Sequence, residues 1–193
     1  MPWKNGRGST LEIASDAASP GAEWSWRVSV ADVPESGPFS HFHGCRRWIA
    51  CVDGPGMQVV IDHAPPRDVP RDGAGLAFSG DATTTGLLVG GPVRDANLIV
   101  RAERWTGGLA ILRGSRAETL PPASHAVVYV VAGQAELHVA GRSSVVADGE
   151  GARISDVGEA AATVHGSAEA VVVMAWVRPA AGPASDSAPS AGR

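Results

Sequence analysis

VVYVVAGQAELHVAGRSSVVADGEG, residues 127–151, decides the fold class. Short valine-rich runs, Val127–Val131, Ala135–Val139 and Ser143–Val146, are separated by Ala132-Gly-Gln134, Ala140-Gly-Arg142 and Asp148-Gly-Glu-Gly151. Apolar runs this short, broken by turn residues, suit antiparallel strands joined by tight turns. The alanines favour helix by propensity, but the glycines leave no window for a helix of ordinary length. The pattern continues through Arg153–Ser155, Ala161–Val164 and Ala170–Val177. Strands at a spacing of about 8–12 residues predict an all-β sandwich or barrel.

Upstream, Trp24-Ser-Trp-Arg-Val-Ser-Val30 alternates strictly. Trp24, Trp26, Val28 and Val30 fall on one face of a strand, and Ser25, Arg27 and Ser29 on the other. Further strands are expected at Thr10–Ala14, Arg47–Val52, Met57–Ile61, Leu76–Phe78, Thr84–Val89 and Asn97–Glu103. Asp53-Gly-Pro-Gly56 reads as a hairpin turn between two of them, and Ser115–Leu120 as a short helix. Two successive sets of strands predict two similar units, residues 1–108 and 109–178, with no residue-level repeat. Residues 179–193, rich in Ala, Pro, Ser and Gly, are expected to be a disordered tail.

The composition narrows the function. The 193 residues include 24 Gly and 14 Pro, are 44% hydrophobic and 19% charged, and carry a formal net charge of −4. This is a globular chain without the basic stripe of a nucleic-acid binder. The longest apolar run, Ala170–Val177, is far short of the roughly 20 residues of a membrane helix. Cys45 and Cys51 are too few for a disulfide framework, and the first residues lack a secretory signal, so a cytoplasmic protein is expected. Sequence signatures of a nucleophile elbow, a phosphate loop or a dinucleotide fold are absent.

Three polar segments carry the candidate chemistry. Trp3-Lys4-Asn5-Gly6-Arg7-Gly8 holds the single lysine and one of two asparagines. Its glycines let backbone N–H groups approach a ligand, and Lys4 supplies a point charge, unless the segment is simply a solvated terminus. In Gly37-Pro-Phe-Ser-His-Phe-His-Gly-Cys-Arg-Arg-Trp48, His41 and His43 are spaced for a metal, but no carboxylate follows before Asp53. Two surface histidines on a loop are the alternative. In Gly90-Gly-Pro-Val-Arg-Asp-Ala-Asn97, Arg94, Asp95 and Asn97 suit either a polar network at a pocket mouth or an ordinary turn.

Taken together, these motifs resemble the HutD/Ves family. The resemblance rests on Met1-Pro-Trp-Lys-Asn-Gly-x-Gly-x-Thr10 with Glu12 and on Trp26-Arg27-x-Ser29-x-Ala31. Gly37-Pro-Phe-Ser40 with Phe42, Gly44 and Arg47, then Phe78-x-Gly80-Asp81, and Gly90-Gly-Pro-Val-Arg-Asp-x-Asn97-Leu complete it. It covers roughly residues 1–104 by motif and the remainder by pattern. It implies a bicupin, two antiparallel jelly-roll β-barrels in one chain. It also implies a link to bacterial histidine utilisation, through binding of a urocanate- or formyl/formimino-glutamate-type carboxylate without turnover. The ligand residues so implied are Trp3, Lys4, Asn5, Arg27, Ser29, Arg47, Asp95 and Asn97. No catalytic residue, metal or cofactor is implied. The expected partner is a small anionic metabolite, with no nucleic acid or membrane partner and with a homodimer possible. The alternative is a metal-dependent cupin enzyme built on His41 and His43. The chain departs from the family pattern at Arg7, Leu11 and Arg46 and in having histidine at both 41 and 43; the added arginines and lost acid favour a more anionic ligand or a different charge pattern.

Overall fold

A computed structural model describes residues 8–158 and 162–181. The described residues form eighteen strands and no helix. The first ten are β1 (Ser9–Ser15), β2 (Trp26–Val33), β3 (Gly37–Pro38), β4 (Cys45–Asp53), β5 (Met57–Ile61), β6 (Arg67–Asp68), β7 (Gly73–Ala74), β8 (Leu76–Ser79), β9 (Thr84–Leu88) and β10 (Val93–Arg101). The remaining eight are β11 (Trp105–Arg113), β12 (Ala117–Leu120), β13 (Ala123–Ala132), β14 (Gln134–Val139), β15 (Arg142–Ala147), β16 (Gly151–Val157), β17 (Ala162–Gly166) and β18 (Val171–Pro179).

They make four open antiparallel sheets, none closed on itself. The inner N-terminal sheet has the order β1-β2-β10-β4-β8, and the outer N-terminal sheet β3-β9-β5-β6. The inner C-terminal sheet is β16-β13-β18-β11-β7, and the outer C-terminal sheet β12-β17-β14-β15. Three apolar clusters order these layers. Ile49, Val33, Met57 and Val59 lie between the two N-terminal sheets. Trp26, Leu98, Ile111 and Val173 lie between the two inner sheets. Leu112, Val128, Leu137 and Val164 lie between the two C-terminal sheets. Burying a large apolar side chain at such a position contributes about 1.5–3 kcal/mol.

The inner N-terminal sheet is covered on both faces, and strand alternation divides its residues between them. Trp26, Val28, Val30, Trp48, Ala50, Val52, Ala96, Leu98 and Val100 pack toward the C-terminal half. The intervening positions on β2, β4 and β10 turn toward the outer N-terminal sheet. On that face Ser29 is buried and Arg27 half-buried. β7 pairs with β11, so a segment of the first half extends the inner sheet of the second.

Three local expectations are corrected. Trp24 precedes β2 and does not share the Trp26 face; its ring sits 4.9 Å from the Arg27 guanidinium. The Asp53–Gly56 turn does not close a hairpin, because β4 is already flanked by β10 and β8. The turn instead carries the chain across to β5 in the outer sheet. Ser115–Leu120 is not helical: β12 occupies Ala117–Leu120 and pairs with β17, which satisfies its backbone groups from a neighbouring strand. Strand β18 runs through Pro179, and residues 182–193 of the expected tail lie outside the described residues.

At one end of the joint between the halves, His125 lies between Trp26 and Trp105, with ring centroids at 5.6 and 5.8 Å. The Arg153 guanidinium sits 4.8 Å from the Trp26 ring. Trp105 Nε1 donates to Ser25 Oγ at 2.9 Å, and Ser25 in turn donates to the Asp16 carboxylate. Burial, and then the positive charge of Arg153, lower the proton affinity of His125 below that of an ordinary histidine.

Candidate functional site

The buried polar side chains among the described residues are Ser25, Ser29, Arg47, Thr84, Asp95 and Asn97. All belong to the N-terminal half, and all but Ser25 belong to strands of its two facing sheets. β2 supplies Arg27 and Ser29, β4 supplies Arg47, and β10 supplies Asp95 and Asn97. The register sets Asn97 opposite Ser29 on one side and Ile49 on the other. A register shift between Arg94 and Asp95 separates their roles. Arg94 turns out to pair with Asp32 at 2.9 Å, while Asp95 is 2% exposed.

A chain of hydrogen bonds runs through this interior. Arg47 Nη2 donates to Asn97 Oδ1 at 3.0 Å, and Asn97 Nδ2 donates to Asp95 Oδ1 at 2.6 Å. Arg47 Nη1 donates to the Ser40 carbonyl at 3.2 Å. Burial pulls Arg47 down to about 10, opposed by the charge of Asp95, so it is still cationic near neutral pH. Burial pushes the Asp95 carboxyl up to about 7, opposed by Arg47 and by the Asn97 hydrogen bond. Arg27 is likewise lowered by burial, with Glu12 acting in the other direction. The Nε atoms of Arg27 and Arg47 are buried and find no acceptor among the described residues. An unsatisfied buried donor of this kind costs about 1–3 kcal/mol.

Aromatic rings surround the two guanidiniums. All three phenylalanines of the chain, Phe39, Phe42 and Phe78, lie 5.4, 5.1 and 5.0 Å from the Arg47 guanidinium. Phe42 is also 5.6 Å from that of Arg27. The loop carrying Phe39 and Phe42 packs closely because of two glycines. A Cβ on Gly80 would stand 2.3 Å from the Phe42 carbonyl, and one on Gly86 would stand 2.8 Å from the Phe39 ring. Charged groups framed by rings and short of hydrogen-bond acceptors are suited to hold a small planar anion, with the guanidinium fork matched to a carboxylate.

Of the expected ligand residues, Arg27, Ser29, Arg47, Asp95 and Asn97 share this interior. Trp3, Lys4 and Asn5 lie outside the described residues. His41 and His43 flank the inward-facing Phe42 and are exposed, their rings stacked at 6.0 Å. His43 Nδ1 lies 3.1 Å from Asp81 Oδ1, and the Gly44 N–H also donates to that carboxylate. Among the described residues, no group of three or more His, Cys, Asp or Glu is arranged to hold a metal ion. Cys45 and Cys51 are both buried free thiols. The lining aromatics Trp24, Phe39, Phe42 and Phe78 were not among the expected ligand residues. The clustering of Phe39 and Phe42 around the histidines was the available signal. No described helix is long and apolar enough to cross a membrane.

The model of the family described as HutD matches residues 1–172. An uncharacterised 21.2 kDa protein in the hutC 3′ region of Pseudomonas putida is 38% identical over 143 residues, 74% of each chain. Protein Ves of Citrobacter koseri is 27% identical over 140 residues, 70% of this chain and 69% of that one. Among solved structures, a conserved protein of unknown function from Pseudomonas aeruginosa PAO1 has a TM-score of 0.79 at 30% identity, covering 92% of this chain and 93% of that one. HutD from Pseudomonas fluorescens SBW25, in a formate condition, has a TM-score of 0.73 at 32% identity, covering 94% of both. A cupin 2 conserved barrel domain protein from Leptotrichia buccalis has a TM-score of 0.52 at 12% identity, covering 89% of both, and shares the cupin-like fold.

Proposed function

Because this chain belongs to the HutD family, we propose that it is a bicupin that captures a small carboxylate in its N-terminal interior without transforming it. The captured state would act as a signal that adjusts histidine utilisation in the cytoplasm. The observation that carries this reading is the pair of neighbouring arginines, Arg47 buried and Arg27 half-buried, each with a buried Nε lacking an acceptor among the described residues. A bound carboxylate would supply acceptors where the fold provides none, converting a penalty into charge-assisted hydrogen bonds. Phe39, Phe42 and Phe78 would exclude water from that contact and strengthen it. The name of the P. putida relative places that protein beside hutC, which supports the link to histidine utilisation.

Thermal melts with urocanate, histidine, formyl-glutamate, formimino-glutamate and glutamate test the reading. A ligand at 100 times its Kd adds about 2.7 kcal/mol. For a chain of this size that raises Tm by roughly 5–11 °C. A selective rise with one compound, lost in Arg47→Met and reduced in Lys4→Ala, is the expected result. Equal melts with every compound would remove the carboxylate reading.

A further inference from the structure

Asp95 is the buried carboxylate among the described polar residues of the N-terminal interior, and binding of an anion there creates a charge problem. Arg27 and Arg47 bring two positive charges; Asp95, when ionised, offsets one. A ligand carboxylate on the guanidiniums adds a second negative charge beside the rings of Phe39, Phe42 and Phe78. Asp95 is tied to this event by two hydrogen bonds in series, through the Asn97 amide to Arg47 Nη2. The amide stands between the two charges, so Arg47 is left with donors for a ligand while its field still reaches Asp95.

Resting on the carboxylate reading above, we propose that the interior takes up its anion together with a proton, and that Asp95 receives the proton. In the free protein the field of Arg47 and the Asn97 hydrogen bond favour the ionised carboxylate, while burial opposes it. A carboxylate seated on Arg47 cancels much of that field. Burial then dominates, and the neutral acid is favoured. The other charged and titratable groups around Asp95 act consistently. Asp32 on β2 also disfavours its negative charge. The Cys51 thiol on β4, opposite Asp95 in register, is itself held protonated by burial. Arg27 on β2 would be engaged by the same ligand. The outer N-terminal sheet faces this region with Met57, Val59 and Leu88, which carry no charge.

The direction of the pH dependence follows. In the free protein Asp95 releases its proton around pH 7, and in the complex at a higher pH. Affinity is then constant below about 7 and weakens as the pH rises above it. If capture raises the proton affinity of Asp95 tenfold, binding weakens by up to about tenfold at alkaline pH, with about half a proton taken up per ligand near pH 7.5.

The test uses formate as the probe. Titration calorimetry in Hepes and in Tris, whose ionisation enthalpies differ, counts protons taken up by the unmodified protein from pH 6.5 to 9. Difference infrared spectroscopy with isotopically labelled formate follows the protonated carboxyl stretch of the protein itself. Proton uptake, growth of that band on binding, and loss of both in Asp95→Asn are expected, with an affinity for formate that no longer varies with pH. Formate binding without proton uptake overturns the coupling and leaves the carboxylate reading standing. Uptake that persists in Asp95→Asn assigns the proton elsewhere, with exposed His41 and His43 next to be examined, and also overturns it. No formate binding at any pH overturns both. If Asp95→Asn fails to fold by circular dichroism, the infrared band of the unmodified protein decides.

Discussion

The two halves of the molecule share a plan and differ in what fills it. Each sets a larger sheet against a smaller one, and each has an apolar cluster between them. In the C-terminal half that cluster runs from Leu112 and Leu120 through Val128 and Val130 to Val172 and Met174. No polar side chain of this half is buried among the described residues. In the N-terminal half the corresponding interior includes Ser29, Arg47, Thr84, Asp95 and Asn97. Buried ionic groups seldom add stability over apolar residues of similar size, so their presence points to use rather than to holding the fold together. The difference is affordable because the inner N-terminal sheet is held from behind. Trp26, Leu98 and Val100 anchor one face of it against Ile111, Val173 and Val177, leaving the other face free to be polar.

The largest expected effect sharpens this division of labour. Leu112 is fully buried between the C-terminal sheets. Leu112→Ala should cost about 2–5 kcal/mol, as for other large-to-small core changes. Chemical denaturation would show this as a lower midpoint. On the proposed function, formate affinity, measured well below the unfolding transition, should be unchanged, since the substitution lies in the half with no buried polar side chain among the described residues. A drop in affinity matching the drop in stability would show the two interiors to be one coupled unit.

The sequence revealed the halves unequally. The C-terminal strands were legible because alternate valines and glycine turns repeat at short spacing, and Ala135–Val139 and Ser143–Val146 fall within β14 and β15. On β2 the alternation of Trp26, Val28 and Val30 with Arg27 and Ser29 was equally plain. Its meaning was not, because a polar face on a strand ordinarily signals solvent. Only three-dimensional packing, with Trp24 and Phe42 against Arg27, makes that face part of an interior in which Ser29 is buried. The Asp53–Gly56 turn misled for a related reason. Turn residues specify that the chain reverses, and not whether the next strand pairs with the last or crosses to another sheet. The polar members of the candidate site were legible through family resemblance, whereas of its three phenylalanines only the clustering of Phe39 and Phe42 around the histidines gave a signal, and the meeting of both with Phe78 of β8 on Arg47 had none in spacing.

A smaller effect separates the halves by pH. The free Asp95 carboxyl, held at about 7 against an ordinary value of 3.8, favours folding most when both folded and unfolded chains are protonated. Its contribution is fully present below pH 3.8 and is lost as the pH rises through about 7. Asp95→Asn removes that loss. Its stability relative to the unmodified protein should climb from pH 4 to 7 and then level, by a few kcal/mol at most. Urea midpoints across this range, without ligand, check it; a constant difference would show that Asp95 is ionised throughout and that the interior is wetter than its burial implies.

The smallest effect belongs to the joint and has the opposite sign. His125, between Trp26 and Trp105, has its proton affinity lowered by burial and by Arg153. Its neutral form is favoured by folding, so its contribution is present above the ordinary histidine value of 6.5 and fades as the pH falls below it. His125→Gln keeps a polar, uncharged side chain there and should flatten the acid limb of the stability curve. Between pH 6.5 and 5 the unmodified protein should lose ground to this variant while it gains ground on Asp95→Asn. The two variants therefore read different places in one molecule: one the charged interior of the first half, the other the seam that lets that half keep a charged interior. Should His125→Gln retain the full acid slope, the titrating group lies outside the seam, and the joint is held by its tryptophans and the apolar faces alone.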